Sequence, residues 1–268
     1  MIATDFEFDG ECLKDHGFII CNSEQSSGLE TINSTPQLTI NSVKLMNGKL
    51  FELTSVEYED KVTISFQICK YEKNLITLLP ICDYEIREIK RWLCRHTYRR
   101  FKLIQPEWSN IYMEGIFNIS EELGFDGKVY VLNLTFESNR PFAIHDPVTY
   151  KINATTDNLS YVITDISDEI GYIYPDIKIT CLQSGTLEIT NSNELRKTVI
   201  KNCTANENIF FTKELLLSSS IKNHKIQNDF NYTFLRISNS YRNRKNILTF
   251  SIPLKIELTY SPYVKVVS

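Results

Sequence analysis

The chain has 268 residues, enough for two ordinary domains, and 42% of them are hydrophobic, so real cores are possible and global disorder is excluded. The formal net charge of −4 argues against a nucleic-acid-binding domain. Glycine and proline are sparse while tyrosine, phenylalanine, isoleucine and threonine are plentiful, a composition that favours β-strands over low-complexity structure.

The N-terminal residues lack the basic and apolar segments of a signal peptide. The longest apolar run, residues 75–82, is far shorter than the roughly 20 residues of a membrane span. We therefore expect a soluble protein made in a cytoplasm, with no membrane insertion. The seven cysteines form no CxxC motif and no Cys/His cluster, so we interpret them as reduced core thiols rather than zinc ligands or disulfides.

The first predicted elements are strands. Alternating apolar residues predict a strand over 1–8 and a short one over 16–21, followed by a polar loop over 22–36. Periodicity then stays poor as far as residue 60. Residues 60–71 give the clearest strand of this half, because their apolar side chains alternate with polar ones.

A single helix is predicted from Asp83 to Cys94, with Asp83 as its N-terminal cap. Ile86, Ile89 and Leu93 lie at helical spacing and predict an apolar stripe that packs on a sheet. Further strands are expected at 101–104, 111–119 and 129–136, with 106–110 as a turn. The first domain is therefore predicted to be α+β, a helix on a mostly antiparallel sheet.

The second half is predicted to be a β-sandwich without a convincing helix, because short strands recur every 8–12 residues between turn residues. The predicted domains are 1–145 and 150–268. The predicted strands of the second domain are 161–166, 177–182, 186–190, 197–202, 208–212, 230–237, 247–252 and 254–260.

The order of these segments resembles a known family. The stretch LTFESNRPFA, residues 134–143, closes the first domain after the helix and resembles the N-terminal domain of siphophage distal tail proteins. Residues 177–191 and 254–263 resemble the first and last strands of that family's galectin-like C-terminal sandwich. The chain is therefore predicted to be mainly β with one helix.

This resemblance implies a structural protein of the virion tail tip, assembled in the host bacterial cytoplasm. The family forms a ring, usually hexameric, in which the first domains continue the tail tube and the second domains project outward. The implied partners are further copies of this chain, the tail tube protein, the tail hub or tail-associated protein and receptor-binding proteins. The family has no active site, so neither enzymatic activity nor a cofactor is expected.

Two charged segments are candidates for contacts between subunits. The basic residues of 90–102 begin in the last turns of the predicted helix and continue beyond it, and the acidic residues of 52–60 precede it. In a closed ring each subunit presents two different faces, so the two segments could meet across a joint. A solvated helix end and a nucleic-acid site with interleaved aromatic residues stay open as alternatives. The candidate interface residues are Arg95, Arg99, Arg100, Trp108, Tyr112, Glu57 and Glu59.

Other function classes remain as alternatives. A glycan-binding sandwich that aids host attachment would use exposed tyrosines of the second domain. A hydrolase would need converging carboxylates, for which Glu121–Glu122 and Asp168–Glu169 are the available pairs. The sequence contains no GxSxG, HExxH, P-loop or GxGxxG motif, and its four histidines are widely spaced. We therefore predict no catalytic or metal site.

Overall fold

The structure is a computed structural model that describes residues 4–21, 38–45, 48, 50–72 and 77–265, without the side chains of 71, 72, 77, 120 and 121. The chain divides into two compact units, residues 1–144 with 265–268 and residues 145–264. The predicted loop over 22–36 lies outside the described residues, as do the first three residues of the strand predicted at 1–8. Among the described helices, none has the length and apolarity needed to cross a bilayer.

The first unit is an antiparallel sheet with one helix, as predicted. Its main sheet has the strand order β2-β1-β8-β9-β10-β6-β3. A separate hairpin is formed by β4 and β5. The helix is α1 (Asp83–Leu93), and the strands are β1 (Phe6–Phe8), β2 (Glu11–Cys12), β3 (Ile19–Cys21), β4 (Leu38–Lys44), β5 (Phe51–Tyr58), β6 (Thr63–Glu72), β7 (Thr77–Leu79), β8 (Arg99–Leu103), β9 (Ile111–Phe125), β10 (Lys128–Ser138) and β11 (Ala143–His145).

Helix α1 buries the predicted stripe. Ile86, Ile89 and Leu93 are all buried, which confirms the helical spacing read from the sequence. The predicted cap is wrong, because Cys82 is the N-cap residue and Asp83 is the first helical residue. The backbone N–H of Cys82 donates to a Glu85 carboxylate oxygen at 3.0 Å, which completes a capping box.

Aromatic rings fill the core of the first unit. Phe101 lies at its centre, with its ring centroid 4.3 Å from that of Phe136 and 5.4 Å from that of Phe117. Gly115 allows this packing, since a Cβ there would approach the Glu137 carbonyl oxygen to 2.3 Å and the Phe136 ring to 2.4 Å. Trp92 of α1 joins the cluster and donates its indole N–H to the carbonyl of Phe8 at 3.2 Å.

The second unit is a two-sheet sandwich. One sheet has the order β12-β22-β15-β18-β19, the other has the order β13-β21-β16-β17, and β14 pairs with β20. A core dominated by isoleucine and leucine gathers residues from both sheets. The elements are β12 (Val148–Ala154), β13 (Ser160–Thr164), β14 (Gly171–Ile173), β15 (Asp176–Cys181), β16 (Gly185–Asn191), β17 (Lys197–Cys203), β18 (Asn208–Phe211), β19 (Leu217–Ser219), α2 (Ile226–Asp229), β20 (Ile237–Asn239), β21 (Lys245–Phe250), β22 (Leu254–Tyr260) and β23 (Tyr263–Val264).

The predicted strand over 230–237 is wrong. A single helical turn, α2, precedes it, and a strand begins only at Ile237. Backbone pairing with β17 is limited to an isolated bridge at Phe230 and one bond from the Asn231 N–H to the Val199 carbonyl at 3.1 Å. The Asn231 side chain supplies the other contacts, since its amide donates to the Lys197 carbonyl at 2.8 Å and its oxygen accepts from the Val199 N–H at 3.1 Å. Tyr232 then adopts a left-handed φ of 56°, which a continuous strand does not allow. Strands β12, β14, β19 and β23 were not predicted.

Candidate assembly interface

The hairpin β4–β5 carries a bulge that changes which residues share a face. Ile40 lies opposite Val56, whereas two positions further along β4 Ser42 lies opposite Leu53, because the register shifts between Asn41 and Ser42. The hydroxyl of Thr54, the extra residue, donates to the Asn41 carbonyl at 2.9 Å. Since side chains alternate along a strand, the extra residue brings Leu53 onto the same face as Val56.

The hairpin is therefore amphipathic. Directly opposed residues of an antiparallel pair share a face, and one face collects six large apolar or aromatic side chains together with Ser42 and, at the end of the hairpin, Lys44. Five of the six are 46–68% exposed, and Tyr58, at the end of the hairpin, is half-buried and packs edge-on against Phe142. In the part of the chain that the structure describes, β4 and β5 pair only with each other. The six residues are Leu38, Ile40, Phe51, Leu53, Val56 and Tyr58.

The opposite face of the hairpin holds the predicted acidic residues. Glu57 lies opposite Thr39 and Glu52 lies opposite Val43, so both carboxylates share the second face with these residues. Glu59, just beyond β5, accepts a hydrogen bond from the Thr39 hydroxyl at 3.2 Å. The candidate residues Glu57 and Glu59 thus belong to a solvent-facing acidic surface on the back of the apolar face.

The candidate arginines make contacts within their own unit. Arg95 and Arg99 lie 3.9 and 3.8 Å from the Asp9 carboxylate, and all three side chains are about one-third to one-half exposed. The guanidinium of Arg100 lies 4.2 Å from the ring centroid of Tyr112, which pairs two of the candidate residues with each other. These are long or exposed contacts, so they leave the basic surface accessible.

Trp108 does not lie open in a polar turn, as its sequence context suggested. It ends a short 3-10 helix, Pro106–Trp108, is 3% exposed and packs edge-on against Phe101 at 6.4 Å. Its indole is part of the aromatic core. The strand from Ile111 onward, which carries the candidate Tyr112, lies inside the sheet between β8 and β10. Both features stabilise the fold of the unit rather than supply an apolar surface.

A buried ionic cluster lies in the second unit. The Glu207 carboxylate is fully buried and accepts from the Ser219 hydroxyl at 2.5 Å and the Thr204 N–H at 2.9 Å. His224 contacts Glu207 through Nδ1 at 2.5 Å and Asp229 through Nε2 at 3.3 Å. Burial alone would lower the pKa of His224, but the hydrogen bond and charge of Glu207 outweigh it and raise that pKa.

The same contacts act on the carboxylate. Burial alone would raise the pKa of Glu207, but the hydrogen bonds from Ser219 and His224 outweigh it and lower that pKa. The two opposite shifts widen the pH range over which the charged pair is favoured. Both imidazole nitrogens face carboxylates, Nδ1 through a hydrogen bond and Nε2 through an ion-pair contact without a hydrogen bond, so the cluster connects the segment 219–229 to the sandwich.

The tyrosines considered for glycan binding lie in different environments. Tyr260 is buried, whereas Tyr172 is half-exposed, lies 5.6 Å from the ring of Tyr174 and has the Arg236 guanidinium 4.0 Å above it. Of the proposed hydrolase pairs, Asp168 lies 4.0 Å from Arg244 and Glu122 binds Lys90 at 2.6 Å. The residues that the structure describes contain no group of three or more His, Cys, Asp or Glu side chains suited to a metal.

Two family profiles match the chain. Residues 1–140 match a phage tail protein N-terminal domain, and residues 142–260 match a phage tail C-terminal domain. The chain belongs to this family of phage tail proteins. No curated protein matches this phage tail protein significantly.

A solved structure shares the fold of this phage tail protein. The distal tail protein Dit (gp 19.1) of phage SPP1 matches with a TM-score of 0.66 at 13% sequence identity, covering 97% of this chain and 99% of that protein. That protein is described as a paradigm of the hub adsorption apparatus in phages that infect Gram-positive bacteria. The resemblance to distal tail proteins read from the sequence is confirmed, together with the predominantly β fold with one helix.

Proposed function

We propose that this chain is a non-catalytic structural protein of the distal end of a long non-contractile phage tail, where copies assemble into a closed ring through the first unit. The apolar face of the hairpin β4–β5 is the observation that carries this proposal. The ring, hexameric in this proposal, joins the tail tube to the hub protein. The second units present receptor-binding proteins at the tail tip, and assembly takes place in the host cytoplasm.

The hairpin has the surface chemistry of an interface. An isolated two-stranded hairpin is at best marginally stable in water, so β4–β5 gains stability if its apolar face is covered. Single exposed apolar residues are common, but a contiguous apolar face indicates a binding surface. Exposed side chains such as Ile40, Phe51 and Leu53 supply area whose burial favours association. The partner that we propose for this face is a neighbouring copy of the chain.

A closed ring needs two different patches on each subunit, because a heterologous contact repeats until the ring closes. The hairpin supplies one patch. In this proposal a polar rim surrounds the joint. It consists of the acidic residues Glu52 and Glu57 on the back of the hairpin and of the basic residues Arg95 and Arg99 of a neighbour. Exposed ion pairs contribute only about 0.2–1 kcal/mol each, so the apolar face dominates the affinity.

The membership in a phage tail family and the fold of SPP1 Dit support a role at the tail tip. The first test is the mass of the full chain by light scattering, which we expect to be a multiple of the 31.2 kDa monomer near six. A monomer at every accessible concentration contradicts the proposal.

A matched pair of variants tests the face itself. Ile40→Asp and Val43→Asp each place a charge on an exposed β-branched position of β4, but on opposite faces of the hairpin. We expect Ile40→Asp to stay monomeric with an unchanged circular dichroism spectrum, because the charge would have to be desolvated in the joint. Val43→Asp, which adds a carboxylate beside Glu52 on the acidic face, should assemble at least as well as the natural chain. Equal assembly of the two variants rules out this face as the joint.

Charge reversal tests the polar rim. The double change Arg95→Glu and Arg99→Glu should weaken assembly at low salt and have little effect at high salt, because exposed charges are screened. Arg244→Glu in the second unit is the control, since Arg244 is also an exposed arginine with a long carboxylate contact. An effect independent of salt, or an equal effect of Arg244→Glu, removes the basic segment from the joint.

A further inference from the structure

The strand β13 of the second unit has an open edge. In the part of the chain that the structure describes, it pairs only with β21 and lies at one end of its four-stranded sheet. Just before β13, the Leu159 carbonyl accepts from the Phe250 N–H at 3.3 Å, and just after it the Asp165 N–H donates to residue 244 at 2.9 Å. Bonding alternates along an antiparallel strand, so the odd-numbered residues face β21. The residues whose N–H and C=O groups face the open edge are therefore Ser160, Val162 and Thr164.

This edge is accessible along most of its length. Ser160, Val162 and Thr164 are exposed, whereas Ile163, which faces the core, is buried. The Tyr150 hydroxyl donates to the Thr164 carbonyl at 3.1 Å and so covers one end of the edge. The other outward N–H and C=O groups face solvent. An extended chain supplies acceptors and donors at the spacing of these groups, so a further strand is the ligand that the edge fits.

The other edges of the two sandwich sheets are protected, as edge strands of soluble proteins commonly are. β12 carries Lys151, whose side chain is 76% exposed. β19 has only three residues, and β17 is covered where Phe230 forms a bridge to Ile200. β13, by contrast, contains neither a charged residue nor a proline. Uncharged runs of β-branched and aromatic residues are those that pair readily with another strand.

The side chains around the open edge indicate what an added strand would carry. On the outer face Val162 lies opposite Ile247, and the two side chains are 51% and 41% exposed. Thr164 lies opposite Lys245 on the same face, and Lys245 forms no ion pair with the described residues. An antiparallel strand would therefore place an apolar residue beside Val162. Two positions earlier it would place an acidic residue beside Thr164, within reach of the Lys245 ammonium group.

We propose that β13 is a docking edge for an extended segment of another protein, which joins the four-stranded sheet as an additional antiparallel strand. Backbone hydrogen bonds to Ser160, Val162 and Thr164 hold the segment, and its apolar and acidic residues provide the specificity. The edge lies in the second unit and is separate from the hairpin β4–β5. Only the identification of the partner as another protein of the tail tip rests on the proposed function.

The test uses the full chain and a synthetic peptide that carries this pattern, fluorescein-Gly-Gly-Glu-Thr-Val-Ile-Ser-amide. Fluorescence anisotropy at low salt measures its Kd. Hydrogen exchange with residue-level mass spectrometry then locates the peptide. At a peptide concentration about ten times Kd, exchange of the amides of Ser160, Val162 and Thr164 should slow about tenfold, because the bound fraction is protected. The amides of Tyr161 and Ile163, which already face β21, should change little.

Two methylated peptides form a matched control that leaves the protein unchanged. In the proposed pairing, the backbone N–H of the peptide valine donates to the Val162 carbonyl, whereas that of the peptide isoleucine points away from β13. Methylation of the valine nitrogen should therefore weaken binding at least about tenfold, the loss of one well-formed hydrogen bond in a dry contact. Methylation of the isoleucine nitrogen should leave Kd within about twofold.

Variants of the chain test the same contacts from the other side. Val162→Pro removes an N–H that faces the open edge and not β21, so the sheet should persist while the peptide no longer binds. Lys245→Glu should weaken binding at low salt and favour a peptide with lysine in place of glutamate. Lys151→Glu, on the protected edge of the other sheet, should have no effect.

Three results overturn the proposal: no binding up to the solubility limit of the peptide, equal binding of the two methylated peptides, or slowed exchange in a strand other than β13. The peptide measurements decide the question even if Val162→Pro fails to fold. They also do not depend on the ring. A chain that stays monomeric contradicts the proposed function and leaves the docking edge intact, whereas a ring that does not bind the peptide has the opposite meaning.

Discussion

The two units of this phage tail protein are built on different kinds of core. In the first, rings from several strands pack around Phe101, and Trp92 of α1 joins them by stacking on Phe6. In the second, aliphatic side chains fill the space between two sheets, and buried polar groups link separate segments of the chain. Glu207 with His224 is one such link, and the amides of Asn191 and Asn246, 2.7 Å apart, form another.

This difference decides what each unit is sensitive to. Ring packing supplies much buried area per residue, so the first unit should depend mainly on side-chain volume. A buried ion pair depends on the protonation of both partners, so the second unit should also depend on pH. The two tryptophans, Trp92 and Trp108, both lie in the first unit, so their fluorescence follows that unit alone.

The largest expected effect is that of Phe101→Ala. Phe101 is fully buried, and its removal leaves a cavity among the rings of Phe6, Phe117 and Phe136. We expect a loss of about 3–5 kcal/mol in the free energy of unfolding, measured by tryptophan fluorescence in urea. Phe125→Ala, at an exposed turn between β9 and β10, should change it by less than about 0.5 kcal/mol. Equal urea midpoints for Phe101→Ala and Phe125→Ala contradict a core whose stability depends on the packing of these aromatic rings.

A smaller effect is expected for Glu207→Gln in the second unit. The change keeps the shape of the side chain but removes the charge that holds His224 and Ser219, at a cost of about 2 kcal/mol. Hydrogen exchange of β15–β18 measures this loss, while tryptophan fluorescence should stay unchanged. Glu188→Gln, whose exposed carboxylate binds Lys197, is the control and should have little effect. A comparable loss for Glu188→Gln shows that burial of the charge is not the cause.

The sequence predicted the elements whose periodicity is local. The helix stripe of Ile86, Ile89 and Leu93 and the strand Leu254–Tyr260 follow simple spacing, and both are present. The hairpin β4–β5 escaped prediction because the bulge at Thr54 interrupts the alternation that a strand normally shows. The strand β5 becomes recognisable when residues 51–53 and 55–58 are read as two alternating runs whose pattern shifts by one residue at Thr54.

The candidate surface was predicted only in part. The acidic residues Glu57 and Glu59 lie on the hairpin as a compact group, which their closeness in sequence allowed. Trp108 was misjudged because the polar residues around it gave no sign that Phe101 would cover its ring. Contacts between residues far apart in sequence, such as that of His224 with Glu207, depend on loop paths that composition does not specify.

The pH dependence of the second unit follows from the opposite shifts of the two pKa values. The raised pKa of His224 means that its contribution to stability is complete below the unfolded value of about 6.5 and is lost as pH rises through the folded value. The lowered pKa of Glu207 means that its contribution is complete above about 4.3 and is lost as pH falls through the folded value. The pair therefore stabilises most between about pH 4.3 and 6.5.

The smallest predicted effect is a decline in the stability of the second unit as pH rises above about 6.5. His224 faces Glu207 and Asp229, and the thiol of Cys203 also interacts with it, so deprotonation of the imidazole removes its attraction to two carboxylates. Hydrogen exchange of β15–β18, corrected for its intrinsic pH dependence, should show the decline, and His224→Gln should flatten it. The first unit, followed by tryptophan fluorescence in the same samples, provides the internal reference. If the stability of His224→Gln declines with pH as steeply as that of the natural chain, another group causes the pH dependence. The ion pair of His224 and Glu207 would then not explain why the second unit responds to pH.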